Sequence, residues 1–140
     1  MTKTEIIERL SSVALFSGCS KRELQAIAGA VKEVSRPAGD VLATEGEKGV
    51  GFFLILDGTA MVVVNDRARR KMGPGDVFGE IALLDGGPRS ATVVAESPVR
   101  MLGLTAWVFK GLVEQNPSIA LKLLEVVAGR LRAASSSPTD

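Results

Sequence analysis

The chain has 140 residues, 46% of them apolar and 24% charged, which suits one globular domain with a real hydrophobic core. Lys+Arg 17 against Asp+Glu 16 leaves a net charge of +1, so no overall field draws the protein to nucleic acid or a membrane surface. With no histidine and a lone Cys19, the Ser-His-Asp triad, the common His-bearing metal sites and a disulfide framework are all excluded.

Ile6, Ile7 and Leu10 fall at helical spacing and predict a first helix over Thr4 to Leu10, with Thr4 as its N-cap. Ser20, followed three residues on by Glu23, is a capping box. Leu24, Ile27, Ala28 and Val31 then form the apolar face of a second helix that Pro37 and Gly39 are expected to stop. From about Val41 to Leu104 the texture changes to short strands with turns between them. The candidate strands are Val41–Thr44, Phe52–Leu56, Thr59–Val64, Arg69–Met72, Ala91–Ala95 and Val99–Leu104. Asp57-Gly58 reads as a tight hairpin between the second and third of these, and as turn chemistry alone. Asn65-Asp66 and Gly73-Pro74-Gly75-Asp76 read as further turns.

Thr105 is expected to cap a helix through Val113, with Trp107 and Phe109 in the core. Pro117, just after Asn116, opens a longer helix to about Ala134, and residues 135–140 form a frayed polar tail. Short strands of mixed faces between helices predict an α+β fold, an antiparallel, jelly-roll-like β-roll flanked by N-terminal and C-terminal helices. One domain is expected over 1–140, with the roll at about 36–104 and the C-terminal helices at about 105–134. No apolar run approaches the ~20 residues that cross a bilayer, and Met1 to Glu5 lack a signal-peptide pattern, so a cytoplasmic location is expected.

The run from Phe78 to Val93, FGEIALLDGGPRSATV, carries the chemistry. It sets the Glu80 carboxylate at the start of a helix-forming stretch, and a Gly-Gly-Pro turn then delivers Arg89, followed by the small residues Ser90 and Ala91. A site that grips a phosphate and a sugar hydroxyl together needs those parts. Arg89 offers a planar fork that stays ionised and matches two phosphate oxygens. Glu80 offers an acceptor for a hydroxyl proton, and Gly79 permits close backbone approach. The amides that open the helix, at Glu80, Ile81 and Ala82, and those of Ser90 and Ala91 complete the donor set. Ile81, Leu83 and Leu84 are expected to anchor the short helix in the core. The alternative for Arg89 and Glu80 is an exposed ion pair beside a turn.

This run resembles the phosphate-binding cassette of the cyclic nucleotide-binding domain family. The likeness extends to Ala14-Leu15-Phe16-Ser17, Arg36-Pro37-Ala38-Gly39-Asp40-Val41-Leu42, Glu45-Gly46, Phe53-Leu54-Ile55-Leu56-Asp57-Gly58 and Gly73-Pro74-Gly75-Asp76-Val77, nearly the whole chain. It implies a ligand sensor and not an enzyme, with Arg89 on the cyclic phosphate and Glu80 on the ribose 2′-hydroxyl. In that family a residue of the last helix closes over the purine. Arg130 is the candidate here, with Leu123, Val127 and Leu131 as aliphatic alternatives. A small residue after the phosphate arginine goes with cAMP and a threonine with cGMP. Ser90 lies between, and cAMP is the expected ligand with cGMP as the alternative.

Val50-Gly51 departs from the Gly-Asp of many relatives. Arg67 to Lys71 is the densest basic cluster, and without interleaved aromatics it is expected to be an exposed face, not a nucleic-acid patch. Cys19 is expected to be a small buried hydrophobe. No cofactor and no metal are expected, and the partner is a protein effector in trans or in a longer chain, with no nucleic acid or membrane contact of its own. A monomer is expected, because the final helix is short for a dimeric coiled coil. Two other readings are the sensor fragment of a Crp-type transcription regulator, though no helix-turn-helix fits after Arg130, and a degenerate scaffold that binds no nucleotide.

Overall fold

Ile6, Ile7 and Leu10 share one side of α1, Lys3–Ser11, in the computed structural model, which describes residues 1–49 and 51–135. Thr2, not Thr4, caps this helix, its hydroxyl accepting from the Glu5 amide at 3.2 Å. Thr2 is extended and has a glutamate three residues on, whereas Thr4 already lies inside the helix. Ser20 and Glu23 form the expected capping box at α2, Lys21–Ala30. The Ser20 amide donates to Glu23 Oε1 at 2.7 Å, and the Glu23 amide to Ser20 Oγ at 3.2 Å.

The α2 helix ends at Ala30, well before Pro37, because Lys32–Arg36 is a strand, β1. Its single apolar residue, Val34, gives no periodic signal, and pairing with another strand decides its conformation.

By compactness the chain divides into a helical unit, residues 1–30 with those from 110 onward, and a β unit, residues 31–109. In the helical unit α1 packs on α2, and the 3-10 turn Ala14–Phe16 packs on the last helix. Leu10, Phe16 and Ile27 are fully buried there. Cys19 is half-buried and burial pushes its thiol up to about 11, which keeps it protonated and inert.

Glu23 is buried, at 7% exposure, and its Oε2 has no hydrogen-bond partner of good geometry among the described residues. The nearby Ser118 hydroxyl, and then the Ser20 amide, hold its carboxyl below the usual range. A carboxyl whose pKa falls on folding stabilises the fold above its unfolded pKa of about 4.3 and loses that contribution as pH drops through the folded value. Glu23→Gln is therefore expected to lower the melting temperature at pH 7, with the gap to wild type closing below about pH 4. Thermal denaturation of both proteins across pH 3 to 7 checks this, and a gap that widens in acid would contradict it.

The β unit contains two four-stranded antiparallel sheets, in the orders β1-β8-β3-β6 and β2-β7-β4-β5. Its strands are β2 Val41–Ala43, β3 Gly51–Asp57, β4 Ala60–Val64, β5 Arg67–Met72, β6 Val77–Phe78, β7 Thr92–Ala95 and β8 Val99–Thr105. A short helix, α3 Glu80–Asp85, interrupts them between β6 and β7. Ile55, Phe78, Val99 and Met101 from the first sheet pack with Ala43, Ala60, Met72, Val93 and Ala95 from the second. The sheets form an open roll and not a closed barrel.

Asp57-Gly58 is not a hairpin. It carries the chain from β3 in one sheet to β4 in the other. Nor is Asp57 turn chemistry alone, since Arg100 of β8 donates to Asp57 Oδ2 at 2.9 and 2.6 Å and also pairs with Glu33 of β1. The two-residue hairpin lies at Asn65-Asp66, between β4 and β5, where φ is +51° and +62°.

After β8 comes α4, Ala106–Gln115, and then α5, Pro117–Ala134, with its proline in the first turn as expected. The Thr105 hydroxyl is buried without a hydrogen-bond partner among the described residues, so it does not cap α4. Phe109 is buried, but Trp107 is 67% exposed, contrary to expectation. Leu121, Leu124 and Leu131 of α5 are also exposed, while Ile119 and Leu123 are buried. No described helix is long and apolar enough to cross a membrane. Val50 and the tail from residue 136 lie outside the described residues.

Candidate functional site

Gly79 sets the geometry of the site. Between Phe78 of β6 and Glu80 of α3 the backbone passes through φ +78°, which a residue with a side chain adopts only under strain. A Cβ at this position would overlap Arg89 Nη1 and the Gly51 carbonyl oxygen. On the other side, a Cβ on Gly49 would lie 2.6 Å from Ala82 Cβ and 3.0 Å from Arg89 Nε. The guanidinium thus runs between two bare stretches of backbone.

The backbone of Arg89 is equally constrained. Its amide donates to Glu47 O at 2.8 Å and its carbonyl accepts from the Gly46 amide at 2.9 Å. The Gly49 amide donates to Gly87 O at 3.1 Å, so residues 46–49 clasp residues 87–89 as a short ladder. The Thr92 hydroxyl accepts from the Glu45 amide at 2.9 Å and ties this loop to β7. A guanidinium held this way keeps its direction without a ligand, which reduces the ordering cost of binding.

Arg89 Nη1 is buried and has no hydrogen-bond partner among the described residues. Burial pushes the pKa of Arg89 down, yet an arginine remains ionised at neutral pH. Buried polar groups are nearly always paired, so an orphaned cationic donor on an arginine that lines a cleft marks a place for an acceptor.

The cleft has a volume of about 350 Å³, within the range of small-molecule sites. Gly79, Glu80, Ile81 and Ala82 form one wall, and Arg89, Ser90 and Ala91 form another. Seven of the eight predicted site residues therefore meet in the β unit. Arg130, the eighth, is exposed on α5 in the helical unit.

Within α3 the helical period separates two pairs. Ala82 and Leu83 are buried, whereas Ile81 and Leu84, three residues apart, are 66% and 43% exposed. Leu83 alone of the three expected anchors is buried. The first intrahelical bond runs from the Leu83 amide to Gly79 O at 3.1 Å, which leaves the preceding amides outside the helical ladder.

The floor of the cleft was not foreseen. Ala43, Val62, Met72 and Val93 contribute to it, together with Arg70 of β5. The alternation of β4 carried a weak signal for Val62, but the pairing that assembles the floor is not a local property. No group of side chains able to hold a metal ion occurs among the described residues.

Residues 33–116 match the family described as the cyclic nucleotide-binding domain. The chain belongs to that family. This cyclic nucleotide-binding domain is 28% identical over 138 residues to the CRP-like cAMP-activated global transcriptional regulator of Mycobacterium tuberculosis (strain ATCC 25618 / H37Rv), covering 95% of the chain and 62% of that protein. It is 34% identical over 128 residues to a cyclic nucleotide-gated potassium channel of Mesorhizobium japonicum, covering 91% of the chain and 36% of the channel. The chain thus spans less than two thirds of the length of either relative. Among solved structures it resembles the N-terminal domain of a transcriptional regulator from Streptomyces coelicolor A3(2), with a TM-score of 0.84 and 28% identity. That likeness covers 94% of this domain and 98% of the other chain. Families of this kind serve as regulatory sensors, and the roll seen here is their fold.

Proposed function

We propose that the cleft binds a purine 3′,5′-cyclic nucleotide, cAMP in preference to cGMP, and that binding is read out through the helices beyond β8. The observation that carries this reading is the buried, unpartnered Nη1 of Arg89 in a cleft that also presents Glu80. The cyclic phosphate accepts from the Arg89 fork, from the amides that open α3 and from those of Ser90 and Ala91. Glu80 accepts the ribose 2′-hydroxyl proton. The names of the relatives, one activated by cAMP and one gated by a cyclic nucleotide, support the same ligand class.

The signalling step follows from linkage. Helices α4 and α5 close over the base, with Arg130, or one of Leu123, Val127 and Leu131, as the covering residue. A ligand shifts that equilibrium only as far as it binds the closed state more tightly than the open one. The effector is a protein in trans or a further part of a longer chain, and the site of action is the cytoplasm. The exposed Leu121, Leu124 and Leu131 of α5 give such an effector an apolar surface to read.

Isothermal titration calorimetry with cAMP and cGMP tests the ligand class, and absence of heat with both would overturn it. Glu80→Ala tests the sugar contact. The variant is expected to lose about tenfold in cAMP affinity while binding 2′-deoxy-cAMP as wild type does, because one charged hydrogen bond is missing. Equal losses for the two nucleotides would remove Glu80 from the sugar.

A further inference from the structure

Glu45 joins three segments of the β unit that are far apart in the chain. Its amide donates to the Thr92 hydroxyl, 47 residues on, and its Oε1 accepts from the Asn65 amide, 20 residues on, each at 2.9 Å. The residues that follow it grip Arg89, through the Gly46 amide at 2.9 Å and the Glu47 carbonyl at 2.8 Å. Glu45 is half-buried and is not among the residues that line the cleft, so it touches no ligand there.

The partner of its carboxylate is the tip of the β4–β5 hairpin. That tip has little other support. β5 is an edge strand, the pairing of β4 with β7 ends at Val63 and Thr92, and the β4–β5 register shifts between Val62 and Val63. A bond between a loop and a hairpin ordinarily adds to stability alone. Here it joins two sides of the cleft. The hairpin strands supply Val62 and Met72 to the floor, whereas residues 46–49 clasp the arm that supplies Arg89.

We propose that Glu45 is a positioning residue that fixes the spacing between the Arg89 arm and the floor strands β4 and β5. This inference rests on the cyclic-nucleotide reading of the site. A ligand with its phosphate on the Arg89 fork and its body on the floor bridges both sides, so its affinity depends on that spacing. The planar fork bonds phosphate in a narrow range of directions, which makes it sensitive to a shift of the arm. Holding the arm in place before the ligand arrives lowers the ordering cost of binding.

The test is calorimetry with cAMP of wild type, Glu45→Ala and Glu45→Gln, with Glu45→Ala repeated in an Arg89→Lys background. Glu45→Ala is expected to weaken binding by about fivefold, a coupling of ordinary size. Glu45→Gln keeps an oxygen acceptor for Asn65 and is expected to stay within about twofold of wild type. In the Arg89→Lys background Glu45→Ala is expected to cost less than about twofold, since an ammonium has no fork to misalign. Coupling is reciprocal, so cAMP is expected to slow hydrogen exchange at the Asn65 amide of wild type by about the same fivefold. That last measurement decides the matter even if the alanine variant fails to fold. No loss, a loss of equal size in both backgrounds, or Asn65 exchange that cAMP leaves unchanged would overturn the proposal. So would a glutamine variant as weak as the alanine one, which would assign the effect to charge and not to the hydrogen bond. If wild type binds cAMP and these results follow, this inference fails alone. If wild type binds neither cAMP nor cGMP, the ligand class fails and takes this inference with it.

Discussion

Replacing Arg89 by alanine is expected to cut cyclic-nucleotide affinity by between about 10-fold and 150-fold, the value of one or two charge-assisted hydrogen bonds. The same change is expected to leave the melting temperature of the free protein equal or higher. In the absence of ligand, Arg89 Nη1 is buried without a partner, so the guanidinium carries a desolvation cost that no contact offsets. Alanine removes that cost while keeping the backbone bonds of residue 89 to Glu47 and Gly46, which do not depend on the side chain. At a given nucleotide concentration the ligand should then raise the melting temperature by less than it does for wild type, because a species that binds only the folded state stabilises by mass action. Thermal denaturation with and without nucleotide, beside calorimetry, measures both halves. A variant that melts several degrees lower while still binding would mean that Arg89 serves the fold and not the ligand.

Gly79→Ala is expected to be far more damaging to the fold. A left-handed backbone costs a residue with a side chain about 1–2 kcal/mol. Here the new methyl group also meets the Gly51 carbonyl of β3, which is fixed by pairing with β8, and the guanidinium of Arg89. The sum should exceed about 3 kcal/mol and lower the melting temperature by on the order of 10 °C, with loss of binding. Gly75→Ala provides the comparison, since Gly75 has φ +92° but no atom within 4 Å of the place a Cβ would take. That variant should lose only the conformational share, about 1 kcal/mol, and keep its affinity. If the two variants melted alike, the tight approach of backbone and guanidinium at residue 79 would be wrong.

Chemistry confined to a few consecutive residues was legible from the chain. The Ser20–Glu23 capping box, the proline that opens α5 and the Gly79 to Ala91 run each bring their own geometry, because donors and acceptors lie within three or four residues or on one tight turn. Errors arose where a distant strand decided the outcome. Lys32–Arg36 lacks alternation and becomes β1 by pairing with β8. Asp57-Gly58 has hairpin chemistry, yet the strands on either side of it belong to different sheets. Trp107 has the composition of a core residue and lies on the exposed side of its helix. Burial of a single apolar residue depends on which face its neighbours cover, and composition carries no record of that.

The sequence by itself determined which residues supply the proposed anion-binding parts and in what order, since an arginine behind a Gly-Gly-Pro turn and a glutamate behind a left-handed glycine are placed by local backbone geometry. Only the tertiary structure decided that the Arg89 guanidinium is desolvated between Gly49 and Gly79, and that Ala43, Val62 and Val93, from three different strands, line the same cleft. Strand register and burial are made by residues dozens of positions apart, so their effect on a side chain's charge and direction exists only once the two sheets have closed on each other.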